Sequence, residues 1–244
     1  MKTFVYIFIL LPLLTFTQTV ESSKAAEKNY LTIETEVFYA VDGSGGVKIK
    51  NWNLTNLLVR YGLGMQTEIN MAFSNVREKE FLKDNLDSNH HQFNHFKIGV
   101  IKNICDEKGI TPELAFQINI LFPLVDVHKE VQKMGFVTSL NLSNTLTEKW
   151  ILNYNVGYIR DMDKTDKYFY IGNLQYVLNQ NLVLFTENTG EYHGDFDWTQ
   201  SVGFSYLYKD WSLEMNIGKG FLSPDFFVGG KIIYSLNVKK KAIN

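Results

Sequence analysis

The sequence lacks most of what a soluble enzyme or a nucleic-acid-binding protein would need. A single cysteine, Cys105, occurs in 244 residues, which excludes an intrachain disulfide framework and any cysteine-based zinc cluster. Only four prolines are present. Beyond the N-terminus no apolar run approaches the roughly 20 residues of a membrane-spanning helix. The formal net charge is -2, so there is no broad basic surface of the kind that binds nucleic acid. No phosphate-binding loop, dinucleotide fingerprint or HExxH pattern occurs, and nothing in the chain calls for a cofactor.

Aromatic residues, in contrast, are abundant: 18 Phe, 13 Tyr and 4 Trp, or 14% of the chain. At the N-terminus Lys2 precedes an apolar run from Phe4 to Phe16, the length of a signal-peptide core. Thr15 and Thr17 supply small residues before a cut that leaves Gln18 first. Residues 1–17 are therefore expected to be an export signal. No cysteine follows the run, which excludes a lipoprotein anchor. Residues 18–29 read as a loose, polar periplasmic segment.

From Tyr30 onward the pattern is period-two alternation, the mark of strands with one apolar and one polar face. The stretch from Asn56 to Phe73 shows it best. Leu57, Val59 and Tyr61 share one face while Asn56 and Arg60 point the other way. After a tight turn expected at Gly62-Leu63-Gly64, Met65, Thr67, Ile69, Met71 and Phe73 oppose Gln66, Glu68, Asn70 and Ala72. Arg60 and Glu68 thus share the polar face near one turn. Similar segments recur to Leu236, about twelve strands of the length that crosses a bilayer core. Short connections fall at Gly62–Gly64, Asp106–Thr111, Ser143–Lys149, Asn179–Asn181 and Lys209–Asp210. Longer ones are expected at Val41–Asn51, Val76–Gln92, Pro123–Gln132, Arg160–Lys167, Gly190–Asp197 and Lys219–Asp225.

Short turns at one rim and longer loops at the other are the plan of an outer-membrane barrel. The fold class is all-β: a transmembrane antiparallel up-and-down β-barrel over residues 30–237, with short periplasmic turns and longer extracellular loops. A soluble β-sandwich would show the same alternation. Three features favour the barrel. Tyr61, Trp150, Tyr158, Tyr168, Trp198, Tyr208, Trp211 and Tyr234 cluster near strand ends, as interfacial girdles do. The polar faces are rich in Asn, Gln, Ser and Gly, and an export signal precedes the whole. Because lipid cannot satisfy open strand edges, the first and last strands must pair. Residues 238–244, with Lys239, Lys240 and Lys241, form a basic periplasmic tail. Gly229-x-x-Ile232-x-Tyr234 loosely resembles the C-terminal signal read by barrel-assembly machinery, although no aromatic residue ends the chain.

The string Leu57-Leu58-Val59-Arg60-Tyr61-Gly62-Leu63, followed by Glu68, resembles the opening hairpin of the MetA-pathway of phenol degradation family. Further echoes are Lys97-Ile98-Gly99 leading to Glu107 and Gly109, then Pro112 and Phe116, and the hairpins around Gly203 and Gly229-Gly230. The resemblance runs from about Tyr30 to Leu236. It implies an outer-membrane transporter, but the TDRPD-like segment that many members carry before the first strand is absent here. The family name reflects genetic context and implies transport as a class, not a phenolic substrate.

Candidate lumen-lining residues are Arg60 and Glu68 together with Glu34, Glu36, Lys97, Glu113, Glu187, Glu214 and Lys231. Arg60 and Glu68 have two readings: an ion pair that closes the interior, where buried charges need partners, or a charge filter on a translocation path. The mixed signs show no ladder of arginines facing acids. A lipid-modifying barrel enzyme is one alternative, and it would need a His base beside a Ser. His90, His91, His95, His128 and His193 fall mostly in expected loops, with no Ser at a matching height. His90 and His91 are the only adjacent pair that could hold a metal, and neither a catalytic nor a metal site is expected. A structural or surface-binding barrel is the other alternative. The expected function is passive passage of small molecules, hydrophobic or aromatic ones included, across the bacterial outer membrane, with lipid and solute as partners.

Overall fold

The computed structural model describes residues 20–44, 47–82, 85–123, 133–222 and 224–241. The expected export signal at 1–17, the loop histidine His128 and the last three residues lie outside the described residues. The first six strands are β1 (Tyr30–Ser44), β2 (Val47–Gly64), β3 (Thr67–Leu82), β4 (Asn85–Cys105), β5 (Glu113–Pro123) and β6 (Gly135–Thr145). They are followed by β7 (Trp150–Arg160), β8 (Asp166–Val177), β9 (Leu182–Tyr192), β10 (Phe196–Tyr208), β11 (Trp211–Gly220) and β12 (Phe226–Asn237). A single helical turn, α1 (Val238–Lys241), carries the basic tail.

Each strand pairs antiparallel with its sequence neighbours, and β1 pairs with β12 from Tyr30↔Asn237 to Val41↔Phe226. The sheet is therefore a closed up-and-down barrel with no free edge, as lipid requires. Alternation sets which way each side chain faces. On β5, Phe116 and Ile118 are 39% and 41% exposed, whereas Gln117 and Asn119 are 3% and 2% exposed. Ile33, Leu57, Ile69, Met71, Ile98, Val100, Leu213, Met215 and Ile217 continue the exposed apolar exterior. A continuous belt of this kind belongs against lipid and not water. Aromatic pairs border it: Trp150 with Tyr176 and Trp211 with Tyr234 near the terminus-bearing rim, Tyr158 with Phe136 and with Tyr168 near the other.

Two expectations are corrected by this geometry. The opening hairpin does not turn at Gly62-Leu63-Gly64. Strand pairing continues to Gly64↔Thr67, and the turn is Met65-Gln66, both at positive φ (52° and 56°). That pair of left-handed residues matches the right-handed twist of the flanking strands. Lys102 Nζ donates to the Met65 carbonyl and the Asn103 N–H to the Gln66 carbonyl, which anchors a turn whose two central residues are not glycine.

The second correction concerns three connections expected to be long. Gly190–Asp197 narrows to residues 193–195 between β9 and β10. The other two are Val41–Asn51 and Val76–Gln92. These are not long loops: β1 to β4 run on as 15-, 18-, 16- and 21-residue strands and keep pairing beyond bilayer length. Their extensions carry side chains that hold one another. Tyr39 packs on Trp52, while Lys79 sits over the Trp52 ring and Lys50 over Phe81. Cross-strand contacts of this kind favour continued pairing over an open loop.

Candidate functional site

The polar faces of the strands converge on the interior. Arg60 on β2 donates from Nε to Glu68 Oε1 of β3 (2.7 Å) and from Nη1 to Glu34 Oε1 of β1 (3.1 Å). Lys231 on β12 lies 4.0 Å from Glu34 Oε2 and 3.0 Å from Glu214 Oε2 on β11. Asn56 donates to Glu36. One alternating network thus crosses five adjacent strands from β3 to β11, through the β1–β12 closure. Glu68 is fully buried and Arg60 nearly so, and at that depth unpaired charge would be strongly unfavourable.

Facing this network is an element that sequence analysis placed elsewhere. Residues 20–29 do not hang loose from the rim; they cross the interior and are held by the wall. The Val20 N–H donates to Glu187 Oε2 on β9 (3.2 Å) and the Glu21 N–H to Asn155 Oδ1 on β7 (2.7 Å). Asn155 Nδ2 returns a bond to the Glu21 carbonyl, and Asn141 Nδ2 on β6 donates to the Ser22 carbonyl. The Ala25 N–H meets Asn103 Oδ1 on β4 (2.7 Å), and the Ala26 N–H meets Glu68 Oε2 (2.7 Å). The Asn29 N–H then donates to the Gly62 carbonyl before the chain enters β1.

The reason lies in the segment's own composition. Val20-Glu21-Ser22-Ser23-Lys24-Ala25-Ala26 offers small side chains and many main-chain groups with no strand partner. Buried main-chain donors must be satisfied, and the lumen supplies Asn and Glu acceptors for them. Among the described residues, the side-chain hydrogen bonds and ion pairs between segment and wall run to Glu113 on β5, which accepts from Ser23 Oγ (2.6 Å) and pairs with Lys24 Nζ (3.0 Å). That hydrogen bond to the Glu113 carboxylate holds the Lys24 ammonium above its usual range. On β2, a methyl group at Gly62 would fall on the carbonyls of Ala26 and Glu27. Glycine at that lumen-facing position is what lets the segment lie against β2.

The candidate residues therefore divide into two groups. Arg60, Glu34, Glu214 and Lys231, with Glu36 held by Asn56, line one side as a charge network. Glu68, Glu113 and Glu187 hold the segment, and Glu68 does both. Lys97 stands on β4 opposite Ala72 and Leu121 and belongs to neither group. Sequence analysis missed Gly62, Asn103, Asn141 and Asn155 as partners of residues 20–29. The usable signal was asparagine repeated at lumen-facing positions of successive strands. Among the described residues no three His, Cys, Asp or Glu side chains gather to hold a metal. The side chains of His90, His91 and His95 lie outside the described residues, and Cys105 is a half-buried thiol directed at the Pro112 carbonyl.

The family echoes acquire structural roles. Gly99 lies beneath the Asn119 side chain, which occupies the space a Cβ would take. Glu107 accepts from both the N–H and the hydroxyl of Thr145, tying the β4–β5 turn to the end of β6. A family model described as "Putative MetA-pathway of phenol degradation" matches residues 17–236. The chain belongs to that family. Among solved structures it is similar to an outer membrane channel from Pseudomonas putida F1, with 9% identity, coverage of 89% of this chain and 100% of that one, and a TM-score of 0.68. The KdgM porin is also similar, with 13% identity, coverage of 84% and 99%, and a TM-score of 0.50. At these identities the likeness is one of fold. The comparison with curated proteins returned no match.

Proposed function

We propose that this family member is an outer-membrane channel for passive passage of small molecules, closed in this conformation by its own residues 20–29. One observation carries the reading: residues 20–29 cross the interior hydrogen-bonded, largely through their main chain, to polar side chains of the wall. A barrel that served only as a scaffold would gain stability from apolar filling. A segment held through main-chain bonds vacates a polar path when it leaves. On this reading the Arg60–Glu68–Glu34–Lys231–Glu214 network frames the charged side of the path, and an export signal at 1–17 delivers the chain to the outer membrane.

Gly62→Val tests it. Valine suits a strand, but its side chain occupies the space of the Ala26 and Glu27 carbonyls. The variant should fold, judged by heat-modifiable migration, and should show conductance in planar bilayers and sugar-dependent liposome swelling well above the parent. Folded Gly62→Val protein that passes neither ions nor sugars would overturn the channel reading, and a lipid-hydrolysis assay on the same preparation tests the enzymatic alternative.

A further inference from the structure

The contacts of residues 20–29 have a property that matters beyond closure. Apart from the Ser23 and Lys24 bonds to Glu113, every bond from the wall described above goes to the segment's main chain. The acceptors Glu187, Asn155, Asn103 and Glu68, with the donors Asn155 and Asn141, stand on β9, β7, β6, β4 and β3. They form a row that meets an extended polypeptide crossing the barrel. Glu68 is 0%, Asn141 0%, Asn155 1% and Glu187 2% exposed, so these are built, buried positions and not surface side chains that happen to lie nearby. Gly62 removes a side chain that would fall on the main chain of such a segment at the β2 wall.

We propose that this row is a binding site for extended peptide, read through its main chain and occupied in cis by residues 20–29. Selectivity along the sequence is concentrated at the Glu113 position, which takes a hydroxyl followed by a cation. Elsewhere the site requires N–H and C=O groups in an extended strand and little else. This is the logic by which main-chain bonds give affinity and a few side-chain positions give specificity. Bonds from N–H groups to the carboxylates of Glu68 and Glu187 are charge-assisted and the stronger members of the set. The site goes beyond channel activity, because peptide binding is scored with no solute passing through the barrel.

A tethered segment competes at high effective concentration, so the test weakens it first. In the full-length Ala25→Pro/Ala26→Pro variant, two of the donating N–H groups are gone. A labelled synthetic peptide with the 20–29 sequence is titrated into this folded variant in detergent and followed by fluorescence anisotropy. It should bind saturably. A peptide with alanine at the positions of Val20, Glu21 and Ser22 should bind within about threefold of it. A peptide N-methylated at the amides of Ala25 and Ala26 should bind at least tenfold more weakly, the effect of losing about one well-made hydrogen bond or more. Equal binding of the N-methylated peptide, loss of binding on the alanine changes, or no binding of any peptide to the folded variant would each overturn the proposal. Should the proline variant fail to fold, amide exchange on the unmodified protein decides. The Glu21, Ala25 and Ala26 amides should be protected, and fast exchange at all three would overturn the proposal. Failure of the channel reading is separate, since it appears as absent conductance in Gly62→Val whatever the peptides do.

Discussion

Glu68 shows why a single lumen side chain can resist substitution. One carboxylate oxygen takes Arg60 Nε and the other takes the Ala26 N–H, in a position with no exposure to solvent. Removing Arg60 leaves Glu68 and Glu34 without their shared cation, and breaking a buried pair typically costs about 3–5 kcal/mol. Arg60→Ala should therefore destabilise clearly in detergent unfolding. Arg60→Ala with Glu68→Ala should recover only part of that loss, because the Ala26 N–H then loses its acceptor. A double-mutant cycle measures this, and strictly additive effects would mean that the two side chains act independently. The proximity of Arg60 and Glu68 was legible in the sequence, since alternation and a short turn place them on one face. Glu34 and Ala26 were not, because their approach depends on β1 closing the barrel and on a segment outside the alternating pattern.

At the scale of the strand, the alternation that was read from the sequence carries the energetics. Phe116 faces out and Gln117 faces in on β5, one residue apart. Arginine on the lipid face costs about 2–4 kcal/mol at the bilayer midplane, whereas a lumen position offers polar neighbours such as Asn141. Phe116→Arg should reduce the yield of heat-modifiable barrel, and Gln117→Arg should be milder. Equal loss at both positions would contradict the two-faced strand. What strand-level reading misjudged was where pairing stops. The turn at Met65-Gln66 holds two non-glycine residues at positive φ, a geometry that glycine and asparagine usually signal, so Gly62 and Gly64 drew the turn to the wrong place. The polar tips of β1 to β4 read as loops because their contacts, such as Lys79 over Trp52, join residues far apart in sequence.

Across the whole molecule, closure by β1 and β12 was forced by physics and so was foreseeable, while the filling of the interior was not. A polar decapeptide with no periodicity reads as disordered, and only the assembled row of acceptors gives it a place. That filling also sets the charge of the path once it is vacated. Lys24 leaves with the segment and frees Glu113 of its cation, and Glu68 and Glu187 lose their N–H donors. Glu34, Glu36, Glu68, Glu113, Glu187 and Glu214 then outnumber Arg60, Lys97 and Lys231. Acidic linings select cations, so Gly62→Val in a KCl gradient should give a reversal potential of the sign that marks potassium preference. Adding Glu113→Gln and Glu187→Gln should move that potential toward zero while conductance persists. These two sit on β5 and β9, away from the Arg60 network, so the barrel wall should keep its main ion pairs. An anion preference in Gly62→Val, or a reversal potential indifferent to both glutamates, would show that the conducting path does not run along the row that now holds residues 20–29.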